Sequence, residues 1–171
     1  MTDRQSAIAK LTAPGMPFEI THETVLGQEV QVFTHRHRSL TELLEISRGH
    51  GDVEYLVSQR LRLTHAEHYE QVAALATALR EEYGVTKGDR VAICAANLPE
   101  WIVAFWAIAS LGGVAVAMNA MGAPLELEHA RELTEPVLVL ADDRRRELLG
   151  DPGIPVLDLV DDVARLVERH R

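Results

Sequence analysis

Apolar positions in this chain come in short blocks that switch between continuous runs and a helical period. The longest ordered set lies between Gly88 and Asn119. Val91, Ala92 and Ile93 form an apolar run inside Arg90–Cys94, directly after a Lys-Gly-Asp turn, as a buried strand should. Trp101, Ile102, Val103, Phe105, Trp106 and Ile108 then place apolar groups nearly all round a helix, which predicts burial on more than one side. Asn97 is the predicted N-cap of that helix. Pro99 falls in its first turn, and Glu100, three residues past the cap, is placed to reach back to the cap amide. Gly112 and Gly113 stop the helix, because glycine takes the left-handed conformation a helix end needs. Val114 to Met118 is a second buried strand. Two such strands joined by a helix form a crossover unit, right-handed in nearly all proteins.

The flanking pattern extends this plan. Phe18 to Phe33 alternates loosely around Gly27 and predicts a hairpin. Ser39 to Glu42 reads as a capping box for a short helix carrying Leu40, Leu43 and Leu44, ending near Gly49–Gly51. Val53–Val57 and Leu61–Leu63 are short strands around a Ser-Gln-Arg turn. Thr64 to Glu67 is a second capping box, opening a helix with Val72, Leu75, Ala76, Leu79 and Tyr83 on one face and Gly84 at its end. Beyond the central unit come a helix from Pro124 to Leu133, a strand at Pro136–Ala141 and a helix at Arg144–Leu149. A strand at Val156–Leu159 and a helix at Val160–Arg169 complete the pattern. Strands near 91, 115, 138 and 157, alternating with helices, predict an α/β fold: a mainly parallel sheet flanked by helices, preceded by a hairpin and a short helix. Residues 1–16 are polar and small, with a Pro14-Gly15 turn, and read as a mobile arm. Residues 17–171 read as one domain.

Composition narrows the function classes. The 171 residues hold 47% hydrophobic and 25% charged residues, ordinary for a globular protein with a real core. A net charge of −9 and a pI near 5.3 disfavour nucleic acid or an anionic membrane as main partner. The fifteen arginines are scattered except for Arg144-Arg145-Arg146, where Asp142, Asp143 and Glu147 offset them and a solvated helix face is expected. Cys94 excludes an internal disulfide, suits a reducing cytoplasm and reads as a small core residue. Met1–Lys10 shows no apolar h-region and no cleavage site, so no secretion signal is expected. The uncharged stretch between Glu100 and Glu126 has the length of a membrane span. Gly112-Gly113 in its middle, Asn119 near its end and the lack of basic flanks argue against one.

Candidate chemistry is sparse. The chain has no G-x-x-x-x-G-K-[ST], no G-x-G-x-x-G and no G-x-S-x-G. Ser110 lies within an apolar helix, where a hydroxyl bonds the preceding turn. His35 and His37 alternate at a strand end, and His65 and His68 share a helix face; neither pair has an obvious third metal ligand, so surface histidines are expected. Asn97 and Glu100 follow a strand's carboxyl end, where parallel sheets bind ligands, but the helix cap explains both residues at once. Trp101 and Trp106 could border a pocket; core packing is the simpler expectation.

The ordered set Gly88–Ile93, Asn97–Trp101, Ala109–Gly113 and Val114–Asn119 resembles the AMP-forming acyl-CoA synthetases of the adenylate-forming ligase superfamily. Bacterial fatty-acid and medium-chain ligases look most similar. That family has a GDRVAI-type strand, an N-x-P-E-W helix start, an A-x-x-x-G-G helix end and a V-x-V-P-L-N strand. Ala117 and Met118 stand here where it usually has Pro and Leu. The likeness runs from about Pro17 to Asp142 and includes the stretch Arg62–Leu79, similar to the family's L-T-Y-x-E-L helix, with His65 in the usual aromatic place. It implies an enzyme that joins ATP and a carboxylic acid into an acyl-adenylate, then passes the acyl group to coenzyme A. The family's phosphate loop, magnesium-associated glutamate, ribose-binding acid and C-terminal lysine have no matching positions in this sequence. The resemblance therefore implies no catalytic, cofactor-binding or metal residue here, and assigns ATP, magnesium and coenzyme A to a longer parent. The expected identity is an inactive N-terminal fragment of such a ligase, partnered by the rest of the polypeptide and prone to self-association. The alternative is a naturally short binding or assembly module of the same ancestry.

Overall fold

A computed structural model describes residues 3–171, which form two compact units, one up to Ser39 and one from Leu40 to Arg171. In the first unit, α1 (Asp3–Leu11) occupies the segment expected as an arm and buries none of its residues. It precedes an antiparallel hairpin of β1 (Ile20–Val25) and β2 (Gln28–Phe33). Leu26 and Gly27 form its two-residue turn, both with positive φ (50° and 81°), the geometry that matches strand twist. Glu23 on β1 binds Arg36 (2.6 Å) and Arg38 (3.1 Å). Bonding to these two guanidiniums, Arg36 first, holds its carboxyl down at about 2.

The second unit begins with α2 (Leu40–Arg48) and a small hairpin, β3 (Glu54–Val57) and β4 (Arg62–Thr64), whose register shifts between Glu54 and Leu56. The long α3 (His65–Tyr83) starts at the expected capping box: Glu67 N–H donates to Thr64 Oγ1 (3.1 Å), and Thr64 N–H donates to Glu67 (2.8 Å). Gly84 ends it in the left-handed conformation. There follow β5 (Arg90–Cys94), α4 (Pro99–Ser110), β6 (Val114–Ala117), α5 (Pro124–Thr134), β7 (Leu138–Ala141), α6 (Asp143–Leu149), β8 (Val156–Asp158) and α7 (Asp161–His170).

The four later strands form one parallel sheet in the order β6-β5-β7-β8. Period-2 alternation divides their side chains between two cores. Val91, Ile93, Leu138 and Leu140 join α3, α4 and α7. Ala92, Cys94, Val139 and Ala141 face α5 and α6, through Leu127, Ala130, Leu148 and Leu149. Gly113 is required by packing: a Cβ there would lie 3.0 Å from Ile108 Cγ2 and 3.1 Å from the Ile108 carbonyl. No helix among the described residues is long and apolar enough to cross a membrane. The uncharged stretch is instead divided between the twelve-residue α4 and β6.

Candidate functional site

The chain reverses direction across the sheet at β5 and β7, having placed β6 on one side of β5 and β8 beyond β7. In open α/β sheets, the crevice at the carboxyl ends of strands flanking such a reversal is the usual ligand position. Here the chain fills it with its own side chains. Asp142, just past β7, accepts from the Ala96 amide beyond β5 (2.9 Å) and caps α6 through the Arg145 amide (3.1 Å). Arg145 is 8% exposed. Its guanidinium donates to Asp142 (3.1 Å) and to the Ala120 carbonyl beyond β6 (2.8 Å). One ion pair thus ties together the loops after three strands. This corrects the expectation of a wholly solvated Arg144–Arg146 face: α6 turns Arg145 inward, and Arg146 pairs with the buried Asp158 (3.2 Å).

Beside this crevice lies a pocket of about 260 Å³ lined by Leu56, Val57, Asn97, Leu98, Trp101 and Ile102, among others. Asn97 is exposed and does not cap α4. The N-cap is Leu98, extended at φ −127° and ψ 149°, with no side-chain cap bond. The cause is local: a residue before proline is pushed out of the helical region, so the helix starts at Pro99 itself. Glu100 does not reach back to a cap amide either. It pairs with Arg60 in the β3–β4 turn (3.1 Å). The residue-before-proline rule was the available signal for both corrections. Trp101 stacks on Phe105 with centroids 5.8 Å apart, and Phe105 meets Trp106 edge-on at 5.5 Å. All three pack against the main core, so Trp101 serves core and pocket wall together.

The remaining candidates separate clearly. His35 is exposed and lies 4.0 Å from Glu19; His37 is also exposed. The α3 pair is not on the surface as expected. His68 is buried, and His65 is half-buried with Nδ1 2.7 Å from Ser47 Oγ. The β3 hairpin lays Tyr55 across both rings, a long-range placement that polar flanking sequence does not reveal. Among the described residues, no three His, Cys, Asp or Glu side chains are arranged to hold a metal ion. Cys94 is buried, and burial pushes its thiol up to about 11, leaving it protonated and unreactive. Ser110 Oγ donates to the Trp106 carbonyl (2.7 Å), a bond within its own helix.

A family model described as "AMP-binding enzyme" matches residues 44–168. The chain belongs to this family. Over 169 residues it is 28% identical to a carboxylic acid reductase from Mycobacterium marinum, covering 95% of this chain and 14% of that protein. It is 35% identical over 95 residues to a long-chain-fatty-acid–CoA ligase from Salmonella typhimurium, covering 55% of this chain and 17% of the ligase. The fold matches the N-terminal domain of FACL13 from Mycobacterium tuberculosis, with a TM-score of 0.71 at 22% identity, over 79% of this chain and 37% of that one. It also matches an artificially fused adenylation–PCP di-domain, NpsA-ThdA, from Klebsiella oxytoca, with a TM-score of 0.69 at 23% identity, over 78% and 25%. The chain spans under a fifth of the length of these curated relatives and corresponds to an N-terminal portion of an AMP-binding enzyme.

Proposed function

We propose that these residues are the folding scaffold of a cytoplasmic, bacterial carboxylic-acid-activating enzyme, and that they do not form acyl-adenylate by themselves. The parent joins ATP and a fatty or related acid with magnesium, releases pyrophosphate, and passes the acyl group to coenzyme A. The observation that carries this reading is the family match over residues 44–168 on a sheet whose switch-point crevice is filled from within. Arg145 is the guanidinium at that crevice, and its bonds to Asp142 and Ala120 leave it unsuited to cradle a phosphate. No chemical step on ATP, magnesium or coenzyme A is assigned to these residues. Pyrophosphate release with ATP, magnesium and a panel of fatty acids tests the proposal. The expected rate equals the no-protein control; turnover that survives repurification would overturn it.

A second reading of the parent rests on the Mycobacterium marinum reductase, whose likeness covers 95% of the chain where the Salmonella ligase covers 55%. On that reading the activated acid is reduced instead of being delivered to coenzyme A. Either parent would cover surfaces that are open here. Val114 is exposed on the outer strand β6, which leaves an unpaired edge, and α5 with the turn before it exposes Met121, Leu125 and Leu133. The isolated chain is proposed to self-associate through its sheet edge or exposed apolar helix faces, most simply as a two-fold dimer. Light scattering coupled to size exclusion across a concentration series should report a dimer or larger. A monomer at high concentration that binds no hydrophobic dye would favour the short, self-sufficient module instead.

A further inference from the structure

His68 is 1% exposed, and neither ring nitrogen has a hydrogen-bond partner. Buried side-chain polar atoms nearly always find one, so this ring needs an explanation that leucine at the same position would not. It belongs to a continuous stack. Tyr55 meets His68 edge-on at 4.8 Å and lies over His65 at 4.5 Å, and His65 has His50 at 4.8 Å on its ring. The stack joins the turn after α2, strand β3 and the first turns of α3.

Four carboxylates on these elements, Glu45, Glu54, Glu67 and Glu70, are engaged away from the imidazoles. On α2, Glu45 accepts from the Tyr69 hydroxyl (2.5 Å) and lies 3.7 Å from Arg48, whose guanidinium sits over the Tyr69 ring. On the hairpin, Glu54 pairs with Arg62 (2.7 Å). On α3, Glu67 is held by the Thr64 amide, and Glu70 pairs with Arg171 (3.3 Å). Asp52 stands exposed in the turn before β3. The N-terminus of α3 adds the positive end of its dipole. Burial and a neighbouring imidazole disfavour a proton on His65 and on His68.

We propose that His50, His65, His68 and Tyr55 form an acid-sensitive latch that holds the β3–β4 hairpin onto α3 and thereby keeps one wall of the pocket at Asn97–Ile102 in place. That wall is Leu56, Val57 and Ser58, all from the hairpin or its turn. The hairpin's far end is held separately by Arg60 on Glu100. Burial holds His68 down at about 4, with His65 as the lesser cause; burial and then His50 lower His65 as well. Both shifts put the latched imidazoles below an ordinary histidine, near 6.5. The released form then binds more protons than the latched one at any pH below about 6.5, so acid favours release. Release sets in as pH falls from 6.5 towards 4. The parallel sheet has no such group and stays formed.

Amide hydrogen exchange of the 171-residue chain, measured from pH 7.5 to 4.5 with rates corrected for intrinsic pH dependence, tests this. Protection across residues 53–64 should be lost with a midpoint between pH 6.5 and 4, while residues 90–94 keep theirs. His68→Leu should move that midpoint down by at least one pH unit. The exposed His50→Gln, which leaves the core untouched, should move it down by a smaller amount and keeps the test open if His68→Leu fails to fold. Loss of hairpin and sheet protection together would overturn the proposal. So would a hairpin that stays protected at pH 4.5, or a folded variant of either kind that keeps the wild-type midpoint.

Discussion

Replacing Asp142 with alanine removes the anion that ties together the carboxyl edge of the sheet. The side chain caps α6, accepts from the Ala96 amide and neutralises Arg145, whose side chain is 10% exposed. Loss of an N-cap alone costs about 1 kcal/mol. The Ala96 amide is on an exposed loop and regains water, so its share is small. The larger effect is the guanidinium left buried with only the Ala120 carbonyl; stranding one partner of a buried pair costs about 3–5 kcal/mol. The expected total is about 4 kcal/mol, a large fraction of the stability of a domain this size. Asp142→Asn keeps the cap oxygen and should cost only about 1–2 kcal/mol. Adding Arg145→Met to Asp142→Ala removes the stranded cation and should recover at least about 1.5 kcal/mol. Urea melts at pH 7 followed by circular dichroism give all four stabilities, with a common slope expected. An Asp142→Ala protein within about 0.5 kcal/mol of wild type would refute the reasoning. A double variant no more stable than Asp142→Ala would refute it equally, because the penalty would then not come from Arg145.

Other expectations follow from local geometry. Asn97→Ala should leave the urea midpoint unchanged within about 0.5 kcal/mol, since Leu98 and not Asn97 precedes the helix; a loss of 1 kcal/mol or more would restore the cap. Leu26 is 99% exposed at φ 50°, so Leu26→Asn, which tolerates that conformation, should slow exchange of the β1–β2 amides about two- to five-fold. Faster exchange would mean the turn is not of the kind described. Cys94 should not react with a disulfide reagent at pH 8 until urea unfolds the second unit, because its thiol stays protonated up to about pH 11. Reaction at a rate independent of urea would show an open thiol.

Much of the architecture was readable along the chain because its causes lie within a few residues of one another. The Thr64–Glu67 box, the Gly84 stop, the Gly27 hairpin turn and the break at Gly112-Gly113 are local chemistry, and all four stand in the structure. The continuous apolar strands likewise identified a parallel sheet covered on both faces, and the ordered motifs from Gly88 to Asn119 pointed to the family by themselves. Asn97 failed as a cap for a local reason too: the competing constraint of Pro99 outranked the favourable cap residue. The candidate sites were a different matter. Arg145 is buried and Arg146 pairs with Asp158 because loops after three separate strands converge on α6. His68 is buried because a hairpin that precedes α3 in sequence folds back over its first turns. Sequence by itself determined the order, type and approximate bounds of the elements from β1 onward, though not α1 or the α4 cap, since propensity, capping and turn chemistry act over three or four residues. Only the tertiary structure decided the strand order and which polar side chains would be shut away from water, because those depend on groups brought together from distant parts of the chain.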